Sequence, residues 1–114
     1  MDRTILKTLA DILECIDNIE SFFLARSKQF EIYKSDTMLK CAIHMNLSII
    51  GEAVNRILKI DANFPISNAR QIVNTRNYLI HGYDSLRPEM LWAIIINDLP
   101  VLKQEVISLM ENKN

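Results

Sequence analysis

The sequence predicts an all-α protein that folds as a single domain, residues 1–114, in the form of an up-down bundle of four helices. Four successive segments carry apolar side chains at spacings of three and four residues, the period of an amphipathic helix, and no segment alternates like a strand. Glycine and proline are rare, at 2 and 3 of 114 residues, which disfavours a turn-rich β architecture. A chain of this length is expected to form one domain.

The first helix is predicted over residues 3–26. Its apolar stripe is formed by Ile5, Leu9, Ile12, Ile16, Ile19 and Phe23. The period breaks over residues 27–37, which are predicted to form a connecting segment. The side chains expected to anchor this segment to the core are Phe30, Ile32 and Tyr33.

Asp36 or Thr37 is expected to cap the second helix, since either side chain accepts hydrogen bonds from the free N–H groups of a first turn. Near the middle of this helix, Gly51 and Ala53 flank Glu52. Small residues at such a place usually permit the close approach of a neighbouring helix, because glycine otherwise costs about 1 kcal/mol relative to alanine. Glu52 is expected to face solvent, and the alternative is that its carboxylate pairs with an arginine of the third helix.

The third helix is predicted over residues 67–81, with Ser67 or Asn68 as its cap. The fourth helix is predicted to open at Pro88, because proline fits the first turn of a helix. Pro100 falls inside this fourth helix, where it removes one backbone hydrogen bond. The fourth helix is therefore expected to be bent or broken near Pro100.

Charge and hydrophobicity limit the classes of function. The 13 basic and 14 acidic residues give a net charge of −1, whereas proteins that bind nucleic acid over a long footprint usually carry a strong basic excess, so any RNA contact should be local. No apolar run reaches the roughly 18 residues of a membrane span, and the N-terminus lacks the apolar core of a signal peptide. We expect a cytoplasmic protein without a membrane segment.

Cys15 and Cys41 lack metal-site or disulfide spacing and are expected to be buried thiols.

The segment from Arg76 to Tyr83 departs from the plain amphipathic pattern. On a helix, the neighbours of Arg76 at three and four residues' spacing are apolar, and a guanidinium in such a place needs a carboxylate, a phosphate or a partner surface. Arg76 and His81 are five residues apart, about 140° around the axis, so they cannot meet on one straight helix. Either Gly82 ends the helix and the chain turns, or the groups converge across a two-fold dimer interface.

These residue types suit the cleavage of RNA without a metal. Histidine transfers protons near neutral pH, arginine binds a phosphate and stabilises charge that builds on it, and tyrosine orients a phosphate or stacks on a base. Each residue could equally have a structural role: His81 as a helix-end cap, Arg76 as an ion pair and Tyr83 as a packing anchor. From spacing alone the structural roles are favoured, because no metal or nucleophile signature accompanies the three residues.

The order Arg76, four residues, His81, one residue, Tyr83 resembles the signature of the HEPN superfamily, and specifically of its HepT-like branch. Two further segments resemble the same branch, Ile50–Arg56 in the second predicted helix and Trp92–Pro100 in the fourth. The three segments occur in the right order, so the resemblance covers nearly the whole chain.

The resemblance implies a small α-helical homodimer with the motif residues in a cleft at the dimer interface. It implies a metal-independent endoribonuclease without a cofactor, in which Arg76 and His81 are catalytic and Asn77 is an accessory polar residue. It also implies a toxin that is paired with a minimal nucleotidyltransferase antitoxin of the MntA type, which AMPylates Tyr83. An adenylyl group there would bring a phosphate and a bulky nucleotide beside Arg76 and so occupy the RNA site.

Two alternatives remain open at this point. One is a non-catalytic HEPN dimer that serves as a scaffold for a nucleotidyltransferase, with Arg76 in an interface; the near-neutral charge mildly favours it, and the intact motif argues against it. The other is a purely structural dimer in which Arg76 is bound to Glu52.

Overall fold

The structure, a computed structural model, describes residues 1–82 and 87–112, and this part of the chain contains helices and no strand. The all-α class predicted from the sequence is therefore confirmed. The elements in chain order are α1 (Arg3–Ser21), α2 (Phe30–Ser35), α3 (Thr37–Ile60), α4 (Ala69–His81), α5 (Pro88–Ala93), a π-helical turn (Ile94–Asp98) and α6 (Leu99–Glu111). None of the described helices is long and apolar enough to cross a membrane.

Helix α3 is the central element of the packing. It contacts α1 and α4 along its length, while α6 packs on α1 and the short helix α2 bridges α3 and α5. The apolar stripe of α3 is buried in these contacts and consists of Leu39, Ile43, Leu47, Ile50, Val54 and Ile57. Helix α4, which carries the segment from Arg76 to His81, is thus held in place mainly by α3.

The first helix ends earlier than predicted, at Ser21 instead of residue 26. The N–H groups of Phe23 and Leu24 donate to carbonyls three residues back, at 3.1 and 3.2 Å, so the helix tightens into turns at this point. The guanidinium of Arg26 donates to the carbonyl oxygen of Phe22 and satisfies one of the free acceptors at this end.

The connecting segment predicted over residues 27–37 contains the short helix α2, which the sequence periodicity did not indicate because six residues are too few to define a stripe. Its Tyr33 is fully buried, as expected for an anchor, and the ring stacks on that of Trp92 with centroids 5.4 Å apart. The Tyr33 hydroxyl makes a 2.8 Å hydrogen bond with Nε2 of His44 on α3. Tyr33 thus connects α2 to α3 through this hydrogen bond and to α5 through the stacked ring.

Acidification is expected to destabilise the protein through His44. Burial, and secondarily the charge of Lys40, lower the pKa of His44 below its ordinary value of 6.5. The folded state therefore favours the neutral imidazole, so the free energy of unfolding should fall as pH drops below about 6.5 towards the lowered pKa. Urea denaturation on both sides of this pH measures the loss, and His44→Gln should reduce it. An equal loss of stability in the wild type and in His44→Gln would show that His44 is not its source.

Helix α4 begins at Ala69, and its cap differs from the prediction. Asn68 occupies the N-cap position with a left-handed φ of 57°, and its side chain makes no capping hydrogen bond. The Glu105 carboxylate of α6 instead binds the preceding residue, accepting from the backbone N–H of Ser67 at 3.1 Å and from its hydroxyl at 2.6 Å. This long-range contact fixes the chain just before α4 begins.

The fourth predicted helix opens at Pro88, as expected, and is interrupted before Pro100. The irregularity takes the form of the π-helical turn, in which the N–H of Leu99 donates to the carbonyl of Ile94, five residues back. Pro100 then stands in the first turn of α6, where its missing N–H has little consequence.

Of the two cysteines, only Cys15 is the buried thiol that the sequence predicted. Burial, together with the nearby carboxylates Glu14 and Asp11, raises the pKa of Cys15, so the thiol is held protonated. Cys41 is exposed on α3, and the prediction for it is wrong: it lies outside the apolar stripe that contacts the neighbouring helices.

Candidate active site

The last turns of α4 present polar side chains to an open depression of about 450 Å³. It is lined by Asn74, Asn77, Tyr78, His81 and Gly82. The first four share one face of the helix, since Asn77 and Tyr78 each lie three or four residues from both Asn74 and His81. The helix ends at His81, and the N–H of Gly82 donates to the Tyr78 carbonyl at 3.0 Å. His81 is exposed, so its imidazole is accessible to a ligand.

Gly51 sets the position of Arg76, because α4 crosses α3 directly over this glycine. A Cβ at Gly51 would overlap the Cβ of Arg76 and lie 3.0 Å from the carbonyl oxygen of Ile72. The close helix approach predicted from the sequence is confirmed here. No larger residue fits without displacing the base of the Arg76 side chain.

The Arg76 guanidinium forms an ion pair with Glu52, with 3.0 Å between Nη2 and Oε2. The expectation that Glu52 simply faces solvent is therefore wrong: the crossing at Gly51 brings the two helices close enough for the next residue, Glu52, to reach Arg76. The pair is partly accessible, with 28% of the Arg76 side chain and 43% of the Glu52 side chain exposed. A phosphate that binds Arg76 must share or replace this carboxylate.

Asn77 connects Arg76 to the depression that contains His81. Its Oδ1 accepts from Nη1 of Arg76 at 3.0 Å, and its side chain also lines the depression. Within residues 1–82 and 87–112, Nε of Arg76 is buried and has no hydrogen-bond acceptor. The guanidinium therefore contacts Asn77 through Nη1 and Glu52 through Nη2, whereas its buried Nε–H has no acceptor among these residues.

Arg76 and His81 open onto different sides of α4. Arg76 lines a second depression, of about 300 Å³, together with Ile80 and residues of α3. His81 lines the first depression, which Arg76 does not reach. The prediction that the two side chains cannot meet on one straight helix thus agrees with the described geometry, and Asn77 both contacts Arg76 and lines the depression that contains His81.

The other residues considered from the sequence lie away from these two depressions or outside the described range. Tyr83 lies outside the described residues. His44 and Asn46, which the sequence left without a site role, make packing hydrogen bonds to Tyr33 and Asn18. In the described part of the chain, no group of three or more His, Cys, Asp or Glu side chains is arranged to hold a metal ion.

One charged residue beside the site was not singled out from the sequence. Arg56 lies on α3 one turn after Glu52 and lines the second depression with Arg76. Its spacing of four residues from Glu52 was the available signal, but this spacing is also common in helices that carry only solvated charges.

Comparison with known proteins identifies the family. The family model described as "Ribonuclease HepT-like" matches residues 12–109. This chain belongs to the HepT-like family. The match covers α3 and α4 entirely, about half of α1 and most of α6, so the crossing of α3 and α4 at Arg76 falls within it. The resemblance seen in the sequence is confirmed.

This HepT-like chain is also similar to individual proteins over most of their length. It is 34% identical over 104 residues to "Probable ribonuclease HepT" of Thermococcus cleftensis, covering 90% of this chain and 93% of that protein. It is 32% identical over 106 residues to "Putative RNase MJ1380" of Methanocaldococcus jannaschii, covering 91% and 94%. It is 29% identical over 114 residues to "Putative RNase TTE0752" of Caldanaerobacter subterraneus, covering 95% and 99%. No solved structure matches the chain.

Proposed function

We propose that this HepT-like protein is a metal-independent endoribonuclease that acts as the toxin of a toxin–antitoxin pair. The observation that carries the proposal is the placement of Arg76 and His81 on the last turns of α4, with Asn77 in contact with Arg76 and beside His81 in the same depression, in a chain of the HepT-like family. The names of the relatives support the ribonuclease part of this proposal. We further infer that the helices pack as an up-down bundle of HEPN type, with α5 and α6 together forming the fourth helix.

In the proposed reaction, the His81 imidazole removes the proton of a ribose 2′-hydroxyl, and the oxygen attacks the adjacent phosphorus. The P–O5′ bond breaks as the O2′–P bond forms, and the leaving 5′-oxygen takes a proton from a second imidazole or from water. Arg76 stabilises the additional negative charge on the phosphate oxygens. Asn77 keeps the guanidinium oriented through its 3.0 Å hydrogen bond.

A homodimer completes this site in the proposal. Arg76 and His81 of one chain open onto different sides of α4, so a single phosphate is best reached by side chains from two copies related by a two-fold axis. Both sides of α4 also expose apolar surface, since Tyr78 in the first depression and Ile80 in the second are 47% and 50% exposed.

The partner in the proposal is a minimal nucleotidyltransferase antitoxin that AMPylates Tyr83. Tyr83 directly follows Gly82, which lines the His81 depression. An adenylyl phosphate attached at this point of the chain would compete with RNA for the site that the proposed dimer forms and would repel the RNA backbone. This part of the proposal depends on the family resemblance.

A non-catalytic role is the second candidate, and one observation favours it. The Arg76 guanidinium is paired with Glu52, as in the purely structural dimer, and such a dimer could still serve as a scaffold for a nucleotidyltransferase. The two candidates differ in whether the unmodified protein cleaves RNA.

The first experiment is an RNA cleavage assay with purified, unmodified protein in the presence of excess EDTA. We expect cleavage to persist, because the proposed reaction uses only protein side chains, and the products to carry 2′,3′-cyclic phosphate and 5′-hydroxyl ends. Loss of activity in EDTA that added Mg²⁺ restores would contradict metal independence. No cleavage under either condition, by a protein whose intact mass shows no modification, would favour the scaffold.

Intact-mass measurement tests the regulatory part of the proposal. Protein purified from its own host with the nucleotidyltransferase present should carry one or more adenylyl groups, and the Tyr83→Phe variant should carry none. An adenylylated Tyr83→Phe protein would place the acceptor elsewhere.

A further inference from the structure

The depression between α3 and α4 carries a cation that the proposed reaction does not use. It is a groove of about 300 Å³ along α3, and the residues that matter here are Ser48, Ile49, Glu52, Arg56, Arg76 and Ile80. Ser48, Glu52 and Arg56 follow one another at intervals of four residues, and Ile49 is next to Ser48. These α3 residues therefore form one continuous face of that helix. Arg76 and Ile80 face them from α4, one turn apart.

The carboxylates of this groove are already paired. Glu52 binds Arg76 at 3.0 Å, and Asp11, which reaches the groove from α1, binds Lys7 at 2.5 Å. Within the described residues, Arg56 has no ion pair or side-chain hydrogen bond. The groove therefore offers one guanidinium that is exposed and available to an external anion.

The walls of the groove define what kind of anion fits. Ile49 and Ile80 are 45% and 50% exposed and provide apolar surface, and Ser48 adds a hydroxyl. A guanidinium beside apolar surface suits a phosphate that is attached to a ribose and a base, because the planar fork binds phosphate oxygens while the apolar walls contact the base or ribose.

The position of Arg56 relates this groove to the proposed reaction. Arg56 lies one helical turn beyond Glu52, about 6 Å along the axis of α3 at the standard rise per residue. Helices α3 and α4 run antiparallel. Gly51 faces Arg76, and Ile49, which comes before Gly51 in α3, shares the groove with Ile80, which comes after Arg76 in α4. Arg56 is thus on the side of Arg76 away from His81.

We propose that Arg56 binds an RNA backbone phosphate neighbouring the one that Arg76 holds, in a nucleotide subsite formed by α3 and α4. The proposal rests on the proposed ribonuclease function and adds a binding residue to it. An RNA strand with one phosphate bound to Arg76 would continue along α3 to Arg56, which lines the same groove. This contact involves few phosphates, which is consistent with the net charge of −1, because a long RNA footprint would need a basic excess.

The test measures binding of a fluorescein-labelled, fully 2′-O-methylated RNA oligonucleotide, which lacks the attacking hydroxyl and cannot be cleaved by the proposed reaction. Arg56→Gln should weaken binding about tenfold, the loss expected for one charge-assisted hydrogen-bonding contact. The slope of log K against log salt should also decrease in magnitude by about 0.7, which corresponds to one phosphate of a single strand. A merely structural role for Arg56 would not change this slope.

Arg70→Gln is the matched control, since Arg70 is an exposed arginine on α4 that does not line the groove. It should leave the slope unchanged. Equal slopes for the wild type and Arg56→Gln would overturn the subsite, and so would an effect of the same size in Arg70→Gln. Unchanged RNA binding combined with weaker binding of the nucleotidyltransferase would also overturn it, in favour of a protein contact.

Failure of the subsite is distinguishable from failure of the proposed function. A wild-type protein that cleaves unmodified RNA, together with an Arg56→Gln variant that binds and cleaves equally well, would reject the subsite alone. A wild-type protein that neither binds nor cleaves RNA would reject both.

Discussion

Replacing His81 with alanine is expected to lower the rate of RNA cleavage by a factor of about 10²–10⁴, the usual contribution of a general acid–base group. The loss should appear mainly in kcat, because the imidazole acts on the proton transferred during the reaction and contributes little to RNA binding. The fold should be unaffected, since His81 is exposed at the end of α4. Single-turnover cleavage of a defined RNA measures the effect.

The control for this prediction is Asn74→Ala. Asn74 lines the same depression and is exposed, but it has no part in the proposed chemistry. A decrease in kcat limited to His81→Ala would support the assignment. If the two variants cleaved RNA at similar rates, His81 would not be the proton-transfer group, and the catalytic proposal would have to be abandoned.

Gly51→Ala is expected to reduce RNA cleavage by about 10²-fold although residue 51 does not touch the RNA in the proposal. The added Cβ would overlap the Cβ of Arg76, so α4 or the arginine must move, and displacements of about 1 Å at a catalytic group can have an effect of this size. Overpacking typically costs about 1–3 kcal/mol, and the higher helix propensity of alanine offsets about 1 kcal/mol of it. The free energy of unfolding should thus decrease by about 1 kcal/mol.

Urea denaturation and cleavage assays on the same preparation separate the two effects. Gly82→Ala provides the comparison for stability, since Gly82 is the only other glycine and has a φ of −122°, which alanine adopts without strain. Full activity in Gly51→Ala would show that the tight crossing of α3 and α4 is unnecessary for positioning Arg76.

The sequence predicted the long helices well because their apolar stripes are long enough to fix a period. It also predicted the close crossing at Gly51, since a glycine between buried positions of a helix usually marks the place where another helix approaches. The features that the sequence did not predict, the early end of α1 and the short helix α2, depend on local interactions. The end of α1 depends on backbone bonds that tighten after Ser21, and α2 has too few residues to show a period.

The ion pair between Glu52 and Arg76 shows a different limit of sequence-based prediction. A glutamate on a helix usually faces solvent, and only the distance between two specific helices reveals that this one reaches an arginine 24 residues later. The same applies to the contact between Glu105 and Ser67, which joins elements 38 residues apart. Long-range polar contacts leave no periodic signal, because each depends on how two elements are placed in space.

The ion pair between Glu52 and Arg76 affects how the protein would discriminate among negatively charged polymers. A lone guanidinium attracts any nucleic acid in the cell, whereas Arg76 meets the solvent with its charge already balanced by Glu52. An approaching backbone must exchange one anion for another, so the gain from charge alone is small and depends on how well the phosphate geometry matches the guanidinium. Random encounters with abundant RNA would then be brief, and retention would depend on fit.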